Sequence, residues 1–237
     1  MEQTLADLPV ADDWLSANEI TRLQSIQIPK RRSDWRLGRW VGKLAVASFF
    51  GLTVEPQPLT NIEIRPRPSG VPDVFINNQR ASASISLSHR DGTAICAVAE
   101  NSVAVGCDLE TIEPHSAAFV ADYFTAREQA ILSETVERDL YSSLLWSAKE
   151  SALKALGTGL RADTRCVEVQ CERPPFRQCA WCWLQIRHIA SGLFEGWWQQ
   201  NGIWITTLVA DSAPSLPIAL QRPSHGPDAL SVTTVLC

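Results

Sequence analysis

The alternation of hydrophobic and polar positions predicts short strands interspersed with helices. Runs rich in β-branched and other apolar residues predict strands at 61–65, 85–87, 93–99, 103–110, 180–188 and 203–210. Apolar residues spaced three and four apart predict helices that begin near Leu15 and Thr125, and another over 37–50 that stops at Gly51. The Pro-rich stretch 65–72 is incompatible with regular structure. The pattern as a whole predicts an α+β fold.

The same order of signals occurs twice, which indicates an internal duplication. Ser16 with Glu19, and Thr125 with Glu128, have the spacing of a capping box at the start of a helix. The landmarks that follow are the same in both halves: Trp40-x-x-Lys43, Gly51 and Ile62-Glu63-Ile64 in the first, and Trp146-x-x-Lys149, Gly157 and Val167-Glu168-Val169 in the second. Eleven residues separate the tryptophan from the glycine in both halves.

We therefore predict two similar lobes, residues 1–102 and 103–211, that are related by a pseudo-twofold axis. A loosely ordered tail with several prolines is expected over 212–237. A fused duplication of this kind creates a cleft between its lobes, and ligand sites favour such clefts. We expect the active site there. The numerous tryptophans of the later strands are interpreted as core residues.

Carboxylates occur at special positions in the second lobe. On the predicted strand that ends at residue 110, Asp108 and Glu110 are two apart and point to the same face. On a predicted helix that ends at Gly157, Glu150 and Lys154 are four apart and also share a face. Crowded carboxylates repel one another unless a cation lies between them, and an all-oxygen set suits a hard ion such as Mg²⁺. The alternative is an acidic strand end and an ordinary surface Glu–Lys pair.

Basic residues are concentrated in the first lobe, from Lys30 onwards. Spacings of four, three and four predict that one helix face carries Arg32, Arg36, Arg39 and Lys43. A ligand with several phosphates needs such cations, because a phosphate is costly to desolvate without a partner. A solvated basic face is the alternative interpretation.

Composition narrows the functional classes. The 237 residues carry a net charge of −5, so nucleic acid is not an expected partner. No apolar run approaches the ~18 residues that span a bilayer, and the N-terminus lacks a basic segment followed by an apolar one. We therefore expect a cytoplasmic protein with no membrane partner, whose seven cysteines stay reduced. Cys179-Ala-Trp-Cys182 lacks the second pair that a zinc site needs.

The segments that carry the carboxylates resemble the paired signatures of the 4′-phosphopantetheinyl transferases. These signatures are a Gly-x-Asp-x-Glu strand and a Trp-x-x-Lys-Glu-x-x-x-Lys helix, and here they span Gly106–Glu110 and Trp146–Lys154. Their order and separation also match, although Cys107 stands where the family usually has Ile or Val. The larger members look like two fused copies of a smaller subunit, which agrees with the predicted duplication, so a monomer is expected.

The resemblance implies an enzyme, a holo-[acyl-carrier-protein] synthase. It would transfer the 4′-phosphopantetheine group from coenzyme A to a serine of an apo acyl or peptidyl carrier protein, and release adenosine 3′,5′-bisphosphate. The implied metal is Mg²⁺, with Mn²⁺ as an alternative, and its implied ligands are Asp108, Glu110 and Glu150. Asp108, Glu150 and Lys154 form the implied catalytic set, with Glu150 as the candidate base. Lys154 and Lys149 are expected to neutralise the leaving group.

The same resemblance assigns contacts to coenzyme A in the first lobe. A Gly-Arg pair recurs in the family, so Arg39 is the first candidate for a phosphate contact, with Arg32 and Lys43 beside it. A Leu-Ser-His sequence also recurs, and its Ser88 and His89 are expected to hold the 3′-phosphate.

One loop departs from the family pattern. Gly70 belongs to a nucleotide-contacting loop in which Val71 replaces the family's lysine. Either a neighbour such as Arg67 compensates, or the donor is held more weakly.

The resemblance also implies that carrier proteins dock on residues 119–124 and the helix that follows, with Phe124 and Arg127 as candidate contacts. It is equally open that Phe124 is a core aromatic and Arg127 an ordinary surface arginine.

Two other functions are alternatives to the transferase. One is a Mg²⁺-dependent phosphohydrolase that uses the same carboxylates, and the other is a non-catalytic scaffold for carrier proteins. The sequence leaves the carrier open among those of fatty-acid, polyketide and nonribosomal-peptide synthesis.

Overall fold

The computed structural model describes residues 1–171, 181–190, 192–212 and 214–220. The chain divides into an N-terminal unit, Met1–Ser102 with residues 218–220, and a C-terminal unit, Val103–Pro217. Both units combine helices with antiparallel sheets, so the predicted α+β class is confirmed. Cys179, residue 180 of a predicted strand and most of the predicted tail lie outside the described residues.

The N-terminal unit packs one long helix against two small sheets. Its helices are α1 (Ala17–Gln24), α2 (Pro29–Phe50) and α3 (Pro56–Thr60). Its strands are β1 (Glu2–Thr4), β2 (Ile62–Pro66), β3 (Pro72–Ile76), β4 (Gln79–Arg80), β5 (Ala83–Arg90) and β6 (Thr93–Glu100). The strands pair in the orders β1-β6-β5 and β2-β3-β4, and α2 packs against β6, β2 and β5.

Helix α2 begins earlier than the hydrophobic pattern predicts. The predicted start was residue 37, whereas the helix starts at Pro29, whose fixed φ and missing amide proton suit the first helical position. Its end at Gly51 is confirmed, and this glycine has the left-handed φ of 64° that commonly ends a helix. The predicted hairpin between β5 and β6 is also confirmed.

The C-terminal unit packs its helices on one five-stranded antiparallel sheet. Its helices are α4 (Ala117–Tyr123), α5 (Ala126–Glu134) and α6 (Arg138–Ala155). Its strands are β7 (Val105–Thr111), β8 (Val167–Cys171), β9 (Cys182–His188), β10 (Gly192–Asn201) and β11 (Trp204–Ala210). The sheet order is β7-β11-β10-β9-β8, and α6 packs across β7 and β11. No helix in the described part of the chain is long and apolar enough to cross a membrane.

The two units share an order of strands. In the N-terminal unit β1 pairs with β6 and β6 with β5, β3 lies beside β5, and β3 pairs with β2. In the C-terminal unit the corresponding order is β7, β11, β10, β9 and β8. Strands β1, β6, β5, β3 and β2 of the N-terminal unit therefore lie in the same order as the strands of the C-terminal sheet. In the N-terminal unit, however, they are divided between two hydrogen-bonded sheets.

The N-terminal unit is built around a buried ion pair. Glu19 closes the predicted capping box with Ser16 at the start of α1. The same carboxylate forms an ion pair with Lys43 of α2 at 2.5 Å and accepts a hydrogen bond from the amide of Ile64 in β2. Lys43 is fully buried and donates two further hydrogen bonds to backbone carbonyls. One glutamate thus joins two helices and a strand.

The C-terminal unit repeats this arrangement with the residues that the sequence comparison had matched. Glu128 closes the capping box with Thr125 at the start of α5. It forms an ion pair with Lys149 of α6 at 2.9 Å and accepts a hydrogen bond from the amide of Val169 in β8 at 2.9 Å. Lys149 is also fully buried and donates to two backbone carbonyls. The same contacts therefore occur in both units, whereas the duplication, the pseudo-twofold axis and the cleft stay predictions.

In the C-terminal unit, β7 and α6 approach each other so closely that only glycine fits at the contact. A Cβ atom at Gly106 would overlap the carbonyl oxygen of Ser151 and would lie 2.9 Å from the backbone nitrogen of Ala155. The glycine of the Gly-x-Asp-x-Glu sequence is therefore required by packing between two backbones.

Breaking the buried pair is expected to destabilise the C-terminal unit. Replacement of Lys149 by Met leaves the carboxylate of Glu128 buried without its cation, and we expect a loss of about 3–5 kcal/mol in the free energy of unfolding. Urea unfolding followed by circular dichroism measures this loss. Arg127→Gln is the control, because it breaks an exposed pair with Glu168 and should change stability by at most about 1 kcal/mol. Equal losses in the two variants would contradict the central role of the buried pair.

Alanine at Gly106 and alanine at Gly38 are expected to act in opposite directions. Gly106→Ala forces α6 away from β7 and should lower stability by about 1–3 kcal/mol, as other overpacked sites do. Gly38 lies within α2 with open space around its Cβ position, so Gly38→Ala should raise stability by about 0.5–1 kcal/mol. Thermal melting of the two variants tests both predictions. An unchanged melting temperature for Gly106→Ala would refute the close contact between β7 and α6.

Candidate active site

Asp108, Glu150 and Lys154 come together where β7 crosses α6. Lys154 Nζ donates a hydrogen bond to Oδ1 of Asp108 at 2.7 Å and another to the backbone oxygen of Cys107 at 3.1 Å. Asp108 is 3% exposed, and the Lys154 side chain is 25% exposed. The site thus combines a buried carboxylate with a lysine whose side chain is partly exposed.

The charges in this group alter one another's protonation. Burial alone would lower the pKa of Lys154, but the charge of Asp108, the hydrogen bond to it and the charge of Glu150 outweigh this effect and raise the pKa. The pKa of Glu150 is raised, first by burial and then by the charge of Asp108, although Lys154 opposes the shift. Asp108 and Glu150 therefore lie within electrostatic reach of each other.

Glu110 occupies the expected register but is not part of a complete ligand set. It lies two residues beyond Asp108 on β7 and pairs across the sheet with Ile205. Among residues 1–171, 181–190, 192–212 and 214–220, no group of three His, Cys, Asp or Glu side chains is arranged to hold one metal ion. The structure brings Asp108 and Glu150 together, and the role of Glu110 as a third ligand stays a prediction.

Lys149 does not have the predicted role at a phosphate. Its ammonium group is fully buried, pairs with Glu128, and donates to the carbonyls of Thr164 and Val167. Burial lowers its pKa despite the charge of Glu128. Because Lys149 and Glu150 are adjacent on α6, their side chains leave the helix in different directions. The expected contact with the leaving bisphosphate is therefore wrong, and Lys149 is a framework residue.

Lys43 requires the same correction in the N-terminal unit. It is fully buried and paired with Glu19, so it cannot contact coenzyme A as predicted. Three of the four residues of the predicted basic stripe on α2 pair with other parts of the unit. Arg36 pairs with Asp12 at 2.7 Å, and Arg39 lies 3.9 Å from Glu19 with its guanidinium over the ring of Trp35.

The remaining predicted donor contacts, all in the N-terminal unit, differ in exposure. Arg32 is exposed in the first turns of α2. Arg39 is mostly buried. Burial lowers the pKa of Arg39, although the charge of Glu19 opposes this shift. Ser88 is buried and His89 exposed near the end of β5. Gly70 is exposed in the turn between β2 and β3, with a φ of 90°. Their contacts with coenzyme A stay predictions.

The predicted carrier-docking segment divides into core and surface. Phe124 is fully buried, so of the two interpretations left open by the sequence the structure favours the core aromatic over the carrier contact. The rings of Phe119, Tyr123 and Trp146 pack against one another with centroids 4.7–5.2 Å apart, and all three remain partly exposed. Arg127 is exposed, and it pairs with Glu168.

The sequence interpretation missed a cluster of buried hydroxyl groups beneath the site. Ser147 and Ser151 of α6 meet Thr207 of β11, and all three are fully buried. Thr207 is the cross-strand partner of Asp108. The signal was present in the sequence, because serines four apart on an apolar helix face are unusual, but the strand that meets them could not be identified.

Comparison with known proteins agrees with this site. Residues 104–191 match the family model described as the 4′-phosphopantetheinyl transferase superfamily. No individual curated protein matches the chain. The matched segment contains β7 and α6, and so the whole group of Asp108, Glu150 and Lys154. That superfamily transfers phosphopantetheine, with coenzyme A as the donor and typically a divalent metal ion. The resemblance seen in the sequence is confirmed: over residues 104–191 the chain carries a 4′-phosphopantetheinyl transferase superfamily domain.

Proposed function

We propose that this protein transfers the 4′-phosphopantetheine group from coenzyme A to a serine of an acyl or peptidyl carrier protein, in a reaction that depends on Mg²⁺. The observation that carries the proposal is the grouping of Asp108, Glu150 and Lys154 within the segment that matches the superfamily. The proposal includes a monomeric enzyme in the cytoplasm. The pathway that the carrier serves is left open.

The donor chemistry of the site fits a divalent ion. Asp108 and Glu150 offer hard carboxylate oxygens. Burial and then the charge of Asp108 raise the pKa of Glu150, and a bound cation would offset the second of these causes. Mg²⁺ is usually bound through one or two carboxylates together with substrate phosphates, so these two ligands suffice, and Glu110 is the proposed third. When bound, the ion offsets the negative charge that develops on the pyrophosphate.

The side chains of the site have complementary tasks in the proposed reaction. The serine oxygen of the carrier forms a bond to the β-phosphorus of coenzyme A, and the bond from that phosphorus to the bridging oxygen breaks. Adenosine 3′,5′-bisphosphate leaves, and the serine proton passes to Glu150, the candidate base. Lys154 places its positive charge beside the phosphates that leave.

The carboxylates are expected to be indispensable for transfer. Asp108→Asn and Glu150→Gln retain the size of each side chain and should lower kcat at least about 10²–10³-fold, because the charge at the transition state loses its stabilisation. The assay mixes coenzyme A, Mg²⁺ and a panel of apo-carrier proteins, and detects the mass gain of the carrier. Glu100→Gln is the control, since this carboxylate is exposed at the end of β6 and lies outside the predicted docking segment.

Three results bear on the proposal. Wild-type activity in Asp108→Asn would refute the site. Release of the bisphosphate without modification of any carrier would indicate a phosphohydrolase. Binding of a carrier without release would indicate a scaffold.

Lys154 is expected to aid transfer and to compete with the metal. Lys154→Met should lower kcat by about 10²-fold, because one cation beside the leaving phosphates is lost. In the absence of coenzyme A the same variant should bind Mn²⁺ more tightly, since Asp108 is no longer paired with an ammonium group. Electron paramagnetic resonance of free Mn²⁺ measures the affinity, with Arg187→Gln on the exposed side of β9 as the control. Weaker Mn²⁺ binding in Lys154→Met would contradict the proposed competition.

A further inference from the structure

The face of α6 that is buried beneath the active site is polar where packing alone would favour apolar residues. Ser147, Ser151 and Thr207 are each fully buried. The core around them is formed by apolar side chains such as Leu144 and Ile205. A buried hydroxyl group costs free energy unless it is hydrogen-bonded, and Ala or Val would occupy nearly the same volume without that cost. Packing alone therefore does not account for these three residues.

The three hydroxyl groups form a closed network. Thr207 Oγ1 donates a hydrogen bond to the backbone oxygen of Ser147 at 3.0 Å. The hydroxyls of Ser147 and Ser151 lie 2.9 and 2.7 Å from Thr207 Oγ1, which can accept from both. The hydroxyl of Ser151 also lies 3.3 Å from the backbone oxygen of Thr207. Each hydroxyl proton thus has an acceptor, so the network is satisfied without solvent.

The position of this network connects it to the catalytic group. Ser147 and Ser151 are one helical turn apart, so Thr207 contacts two successive turns of α6. Thr207 is the cross-strand partner of Asp108, and Glu150 directly precedes Ser151. Hydrogen bonds depend on distance and angle, whereas apolar contacts tolerate sliding. The network therefore fixes where α6 lies along the strands that carry Asp108.

We propose that Ser147, Ser151 and Thr207 are positioning residues that hold α6 in register with β7 and β11. They set the separation between Asp108 on the strand and Glu150 and Lys154 on the helix. This inference rests on the proposed function, because it assigns the register to phosphopantetheine transfer. A displacement of about 1 Å in a positioned group can lower the rate about 10²-fold.

Isosteric replacement of Thr207 tests the proposal. Thr207→Val keeps the shape of the side chain but removes its donor and its acceptor, and should lower kcat about 10²-fold while the KM for coenzyme A changes less than about 3-fold. Thr207→Ser restores the hydroxyl and should recover most of kcat. Thr206→Val is the matched control, because it makes the same replacement one residue earlier on the opposite face of β11, and should behave like the wild type.

Activity is expressed per folded protein, so a loss of stability alone does not lower the measured kcat. If Thr207→Val lowers the melting temperature but keeps the kcat of the wild type, or if Thr207→Ser fails to recover activity, the proposal is overturned. Where Thr207→Val does not fold, Ser151→Ala replaces it in the same comparison.

A second measurement does not depend on the reaction. The urea midpoints of Thr207→Val, Lys154→Met and the double variant form a mutant cycle. If the network positions α6, the shift in the double variant falls short of the sum of the single shifts, because the Lys154–Asp108 pair is already disturbed when Thr207 is replaced. Additive shifts overturn the positioning role. A wild-type enzyme that transfers no phosphopantetheine overturns the proposed function instead, so the two failures are distinguishable.

Discussion

A glutamate at the start of a helix, paired with a buried lysine, is the constraint on which each unit of this protein depends. Glu19 and Glu128 cap their own helices, accept a hydrogen bond from a strand and neutralise Lys43 and Lys149. The unpaired charge of either partner would be costly in the interior, so the pair specifies one arrangement of two helices and a strand. The same device in both units also explains why a short helix precedes the long one in each.

In the C-terminal unit the same ion pair supports the helix that carries the proposed active site. One side of α6 is fixed by Lys149, and the side that faces the sheet is fixed by Gly106 and the hydroxyl network of Thr207. Glu150 lies between these anchors and faces the charge of Asp108. The helix is thus held on two sides, which suits a reaction whose rate depends on positioning and on electrostatic stabilisation. Glu150 and Lys154, which are proposed to react, thus share one helix with the supporting residues Ser147, Lys149 and Ser151.

Much of this arrangement could be predicted from the sequence. Capping boxes and strand alternation are local signals, so α1, α5 and β7 and the shared face of Asp108 and Glu110 followed from spacing alone. The burial of Lys43 and Lys149 could not be predicted, because the carboxylate that neutralises each lysine is more than 20 residues away in the chain. The sequence left Phe124 open between the core and a carrier contact for a similar reason, since its neighbours in the core come from other elements. Strand β10 was not predicted, because its polar residues and two glycines weaken the hydrophobic alternation that marks a strand.

The proposed reaction requires Asp108 and Glu150 to bring a divalent ion to the pyrophosphate of coenzyme A. Mn²⁺-induced relaxation of the ³¹P resonances of coenzyme A bound to the protein tests this requirement. We expect strong relaxation of the pyrophosphate signals in the wild type and its loss in Asp108→Asn, with coenzyme A still bound. Equal relaxation in the two proteins would show that Asp108 does not hold the ion.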